Sequence, residues 1–145
     1  MLFRSGSCLF PSHDRARLNS DGSLDPSFDT NNYLNGLPKQ VLLQSDGKVI
    51  LTGQFTTWNG ATQKGIIRLT TTGTKDATFN IGTGFNWSTY GLIAQIQADG
   101  NILVYGDFTN YNGSAKRNLA RLLPDGTLDN TLGIVTGKQI GRAHV

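Results

Sequence analysis

The chain has 145 residues, a formal charge of +3 and a pI near 9.2. All ten of its acidic residues are Asp, and it holds one cysteine, so an internal disulfide and a cysteine-based zinc site are both excluded. No apolar run approaches the ~20 residues that a membrane-spanning helix needs. The absence of Glu and the abundance of Asp, Asn, Gly, Ser and Thr suit short strands joined by tight turns.

The two ends read MLFRS and IGRAHV. These match translations of the two orientations of one short-read sequencing adapter, so residues 1–5 and 140–145 are expected to be adapter-derived. Setting Arg4 and Arg142 aside takes the formal charge from +3 to +1, and the basic balance then gives no support for a nucleic-acid or membrane partner. His144 leaves with them, and His13 is the only other histidine. Residues 6–15 align with nothing else in the chain.

From residue 16 onward the sequence repeats. ARLNSDGSLDPSF from Ala16, IRLTTTGTKDATF from Ile67 and ARLLPDGTLDNTL from Ala120 are versions of one segment. Upstream of the second and third versions stand VLLQSDGKVILTGQFTTWNG from Val41 and IAQIQADGNILVYGDFTNYNG from Ile93. Asp46, Gly53 and Asn59 recur 53 residues later as Asp99, Gly106 and Asn112. The organisation is therefore a partial unit and linker over 16–40, a full unit over 41–92, a second over 93–132, and a start of the next unit or a tail over 133–139.

Within a unit, Asp46-Gly47 and Asp99-Gly100 sit between β-rich runs and predict hairpins, because glycine supplies the positive φ that such turns require. The runs VILT and ILVY are apolar at almost every position, which fits strands buried on both faces. Asn59-Gly60 and Asn112-Gly113 predict a second tight turn. About four short antiparallel strands per unit, with a doubly buried central strand, predict an all-β fold of β-propeller-like blades: two blades and part of a third. Uncovered outer sheet faces predict a product that is poorly soluble or oligomeric alone.

ARLNSDGSLDPSF followed by QSDGKVILTGQFTTWNG resembles the delta-60 repeat, a β-propeller repeat of large, mostly uncharacterised bacterial and viral proteins. The resemblance spans Ala16 to Leu132 and implies a fold without an assigned chemistry. It departs from the repeat's pattern at Thr72-Gly73, where the usual pair is Asp-Gly.

Four constellations bear on function. Asn19-Ser20-Asp21-Gly22-Ser23-Leu24-Asp25 resembles the opening of a calcium loop, but the second copy replaces Asn19 and Asp21 with Thr70 and Thr72, so a turn is expected and no metal site. Arg17, Arg68 and Arg121 each precede an aspartate, Asp25, Asp76 and Asp129, by eight residues; a scaffold pair is expected ahead of a ligand-facing ring of charge. Trp58-Asn59 and Tyr111-Asn112 place an aromatic beside a turn in each unit, and Trp87 and Tyr90 lie in a loop found in one unit only. These six residues are the candidate ligand contacts, weighed against the plainer reading that Trp58 and Tyr111 pack in the core or rim.

GIVTGK at 133–138 is one spacer short of a phosphate-binding loop, and Gly82-Thr83-Gly84 lacks the third glycine of a dinucleotide fingerprint. No catalytic residue and no cofactor is assigned. The expected function is a non-catalytic binding or adhesion module of a larger microbial surface or secreted propeller, contacting a glycan or protein on a cell surface. A virion adsorption protein is one alternative. The other is a propeller hydrolase or lyase whose catalytic residues lie elsewhere. No nucleic-acid partner is expected; neighbouring blades of the same chain are.

Overall fold

The computed structural model describes residues 2–3, 15–29, 31–86 and 90–132. Trp87, His13 and the GIVTGK run lie outside the described residues, as do most of the adapter-like ends. The described residues form strands and turns, with no helix among them.

Leu2–Phe3 (β1) pairs with Arg15–Ala16 (β2). The first full unit holds Leu37–Leu43 (β3), Val49–Gln54 (β4), Thr57–Trp58 (β5), Ala61–Thr62 (β6) and Ile66–Leu69 (β7). The second holds Ile93–Ile96 (β8), Ile102–Tyr105 (β9), Asn110–Tyr111 (β10), Ser114–Ala115 (β11) and Leu119–Leu122 (β12). Each unit is a three-stranded antiparallel sheet, β3-β4-β7 or β8-β9-β12, carrying a small side hairpin, β5-β6 or β10-β11.

The expected turns form as their residue types require. Asn59 and Gly60 have φ of 48° and 80°, and Asn112 and Gly113 have φ of 45° and 79°. Two consecutive positive φ values define the turn whose twist matches the flanking strands, and Asn followed by Gly carries it at least cost. At the Asp-Gly hairpins the aspartate side chain accepts the amide two residues on, Lys48 N to Asp46 Oδ1 at 3.1 Å and Asn101 N to Asp99 Oδ1 at 3.0 Å.

The fourth strand of each blade is shorter than expected and reduces to one bridge, Leu69 with Lys75 and Leu122 with Leu128. The cause is the aspartate that follows. Asp76 Oδ1 takes the amide and hydroxyl of Thr78, at 2.9 and 2.7 Å, and turns the chain out of the ladder. The chain then crosses to the next unit, carrying a large apolar residue. Phe28 packs with Val49, Leu51, Ile67 and Leu69 of the first unit; Phe79 joins Ile50 and Ile66 to Ile102, Val104 and Leu122 of the second. β4 and β7 thus alternate between two cores, so VIL and IIRL are buried on both faces.

Candidate ligand-binding surface

Two of the six candidate contacts are core residues. Trp58 is 5% exposed and Tyr111 is 1% exposed. Tyr111 stands with its ring centre 4.5 Å from that of Phe85, and its hydroxyl donates to the carbonyl of Gly126 at 2.5 Å. Burial, helped by Asp125, holds the phenol above its ordinary value, so it stays neutral. Neither ring presents a face to a ligand. β5 and β10 are the covered arms of side hairpins whose other arms, β6 and β11, are exposed, and covering apolar surface outweighs exposing a large ring.

Asn59 and Asn112 also serve the scaffold. Asn59 Oδ1 accepts the amide of Tyr33 at 2.8 Å, and Asn112 Oδ1 accepts the amide of Thr83 at 3.1 Å. Each turn is stapled to the linker that enters its own unit. Tyr90 differs from all of these: the residue is 75% exposed.

The arginine–aspartate pairs are triads with a hydroxyl. Arg68 Nε donates to Asp76 Oδ2 at 2.8 Å while its Nη2 reaches Thr78 Oγ1 at 3.1 Å. Arg17 repeats this with Asp25 and Ser27, and Arg121 with Asp129 and Thr131. The hydroxyl two residues after each aspartate is a signal present in the sequence that pairing Arg with Asp alone overlooks. For Asp25 and Asp129 the hydrogen bonds from Ser27 and Thr131 come first, then the arginine, in holding the carboxyl below its ordinary range. For Asp76 the largest single influence is burial, which raises it. Thr78, Lys48 and Arg68 together outweigh that and leave it well below the usual carboxylate range.

A second repeated device was not visible in the repeat alignment. Asn35 Oδ1 accepts the amides of Thr56 and Thr57, each at 2.8 Å, and Asn86 Oδ1 accepts those of Thr109 and Asn110, each at 2.9 Å. Asn35 and Asn86 stand 51 residues apart rather than 53, which hides their equivalence. Leu34 and Phe85, which bridge to Trp58 and Tyr111, mark the true correspondence.

The linker holding Asn86 borders a cleft of about 110 Å³, lined by Gly53, Phe55, Lys64, Phe85, Asn86 and Leu92 among others. Its floor is apolar, and Lys64 and Gln54 bring polar groups to it. Tyr90 stands near this cleft. Its carbonyl accepts from Lys39 Nζ, and the adjoining Gly91 packs so tightly that a Cβ there would lie 3.1 Å from Gly53. The Asn19–Asp25 segment is a turn whose carboxylates are engaged locally, Asp21 by Ser23 and Asp25 by Ser27. Among the described residues no three His, Cys, Asp or Glu side chains gather as metal ligands.

Short antiparallel sheets, stacked face to face and linked by a crossing segment after each fourth arm, are the blades of a β-propeller. The chain matches the family described as Domain of unknown function (DUF5122) beta-propeller over residues 16–28, 44–79 and 97–132, and it belongs to that family. No curated protein and no solved structure matches it.

Proposed function

We propose that these blades are a non-catalytic binding module of a larger microbial surface or secreted propeller, and that the ligand is a glycan polymer. The observation that supports the reading is the exposure of Tyr90, whose neighbour Gly91 packs on Gly53 at the edge of an apolar cleft that Lys64 and Gln54 also line. An aromatic face stacks on the apolar face of a sugar, and nearby polar groups set its orientation. Tyr90 lies in the linker that enters the second unit, two residues longer than its counterpart in the first, and loops on a rigid repeat scaffold are where such proteins specialise. It replaces the turn aromatics Trp58 and Tyr111, which are committed to packing.

Affinity electrophoresis through gels of mannan, xylan, alginate and chitosan tests the proposal. Retention by at least one polymer is expected, with Tyr90→Ala weakening it about ten-fold at an unchanged melting temperature. Migration unaffected by all four polymers overturns the glycan assignment, and retention that Tyr90→Ala leaves intact overturns the site.

A further inference from the structure

The strands of the first unit sort its charges to the two ends of its sheet. One end holds the glycine turns at Gly47 and Gly73, where Leu43, Val49 and Leu69 lie in register. The other holds the entry of β3, the side hairpin and the cleft, where Leu37 pairs with Gln54. Between Asp29 and Asp99 the sequence has two carboxylates, Asp46 and Asp76, and both stand at the turn end. Asp46 accepts the amide of Lys48 there, and Asp76 is paired with Arg68 and Lys48. The cleft end of this unit, and the 80–92 linker that borders the cleft, therefore contain no carboxylate.

Cations do reach the cleft end. Lys64 lines the cleft, half-buried, and its ammonium has no ion pair or hydrogen bond among the described residues. Asp107, at the corresponding end of the second unit, makes no ion pair with it. Lys39 Nζ donates to the carbonyl of Tyr90, and a Cβ on Gly91 would lie 3.1 Å both from Lys39 Cδ and from Gly53 in the cleft lining. Asn86 is spent on the scaffold, with Oδ1 on the amides of Thr109 and Asn110 and Nδ2 on Thr109 Oγ1. Lys64, rather than Asn86, is left to meet a ligand. Its place is basic again in the second unit, as Arg117.

A half-buried ammonium without a carboxylate nearby has lost part of its hydration, and an anion restores that loss best. Charge-assisted hydrogen bonds are also about twice as strong as those to neutral hydroxyls. We propose that the glycan is a polyuronate, with a ring carboxylate held by the Lys64 ammonium at the cleft; this rests on the glycan reading above. A uronate carries its carboxylate on the sugar ring itself, so a ring seated at the cleft brings the charge with it. Recurrence of the cation at Arg117 suits a polymer charged on every ring.

The full chain is run through gels of alginate, polygalacturonate, mannan, dextran sulfate and alginate esterified with propylene glycol. The ester keeps the sugar chain and removes the carboxylate charge. Alginate or polygalacturonate is expected to retain the chain about ten-fold more strongly than mannan, dextran sulfate or the ester. Lys64→Gln is expected to weaken that retention about ten-fold at an unchanged melting temperature, and Lys64→Arg to preserve it. Lys75→Gln removes the same charge from an exposed residue at the turn end, and is expected to change retention by less than about two-fold. Mannan or the ester retaining the chain as strongly as the polyuronates overturns the proposal and leaves the glycan reading standing. Equal retention by dextran sulfate, or equal losses from Lys64→Gln and Lys75→Gln, overturns it as well, since either marks a response to charge alone. No retention by any polymer overturns the glycan reading itself, and the proposal with it.

Discussion

β4 and β9 are the same strand of two successive units, yet they live in different surroundings. Val49, Ile50, Leu51 and Thr52 are all buried, while along Ile102–Tyr105 burial alternates and Tyr105 is 62% exposed. The arginines grade likewise: the Arg68 side chain is 7% exposed, that of Arg121 21% and that of Arg17 30%. The difference lies outside each unit. The first sheet is sandwiched between Phe28 on one side and the second unit on the other; among the described residues the second has one neighbour. In a stacked-sheet protein, a strand's contribution to stability is set by how many neighbours it has.

That contrast can be broken by matched substitutions, read by urea unfolding. Ile50→Ala empties a doubly covered site and is expected to cost about 3 kcal/mol, whereas Leu103→Ala, its counterpart on the bare face, is expected to cost about 1 kcal/mol. Equal losses would mean that the second face is covered in solution. Arg68→Ala leaves the buried Asp76 with Lys48 Nζ at 3.1 Å as its remaining cation, and a loss of about 3 kcal/mol is expected. Arg121→Ala breaks a more exposed pair and is expected to cost about 1 kcal/mol.

Acid sharpens the comparison further. A carboxyl held below its ordinary value stabilises the fold above the unfolded value, and that contribution is lost as pH falls through the folded one. Asp25, Asp76 and Asp129 are all depressed, so stability is expected to decline as pH falls below about 4. Asp76→Asn is expected to flatten that decline more than Asp129→Asn, because Asp76 alone has both an arginine and Lys48 within ion-pair distance. Equal flattening would show that the threonine hydrogen bonds, common to both, carry the whole effect. The smallest change expected is for Tyr105→Thr, which gives the second unit the residue of the first. At low protein concentration it should stay within about 0.5 kcal/mol of the parent by the same urea assay.

Much of this was legible in the residues. Asp-Gly and Asn-Gly between β-rich runs predict the hairpins because turn geometry is a local matter of which residues tolerate positive φ. The 53-residue interval between the anchors of the two full units predicts the stacked units, and the apolar VILT run predicts a strand covered on both faces. The Arg–Asp spacing predicts a scaffold pair, although the hydroxyl that completes it was overlooked. The candidate contacts fared differently. Trp58 and Tyr111 look like loop-tip aromatics in the sequence, but the side hairpin folds them inward. Asn35 and Asn86 were missed because the linker between units changes length by two residues and takes them out of register.

The sequence by itself therefore determined the repeat, the turns and the strands, since each follows from residues within a few positions of one another. Only the tertiary structure decided which aromatic is covered, that Tyr90 is exposed, and that, among the described residues, β9 keeps a bare face where β4 has none. Those outcomes depend on surfaces brought together from some fifty residues away in the chain, where local preference has no reach and burial of apolar area decides.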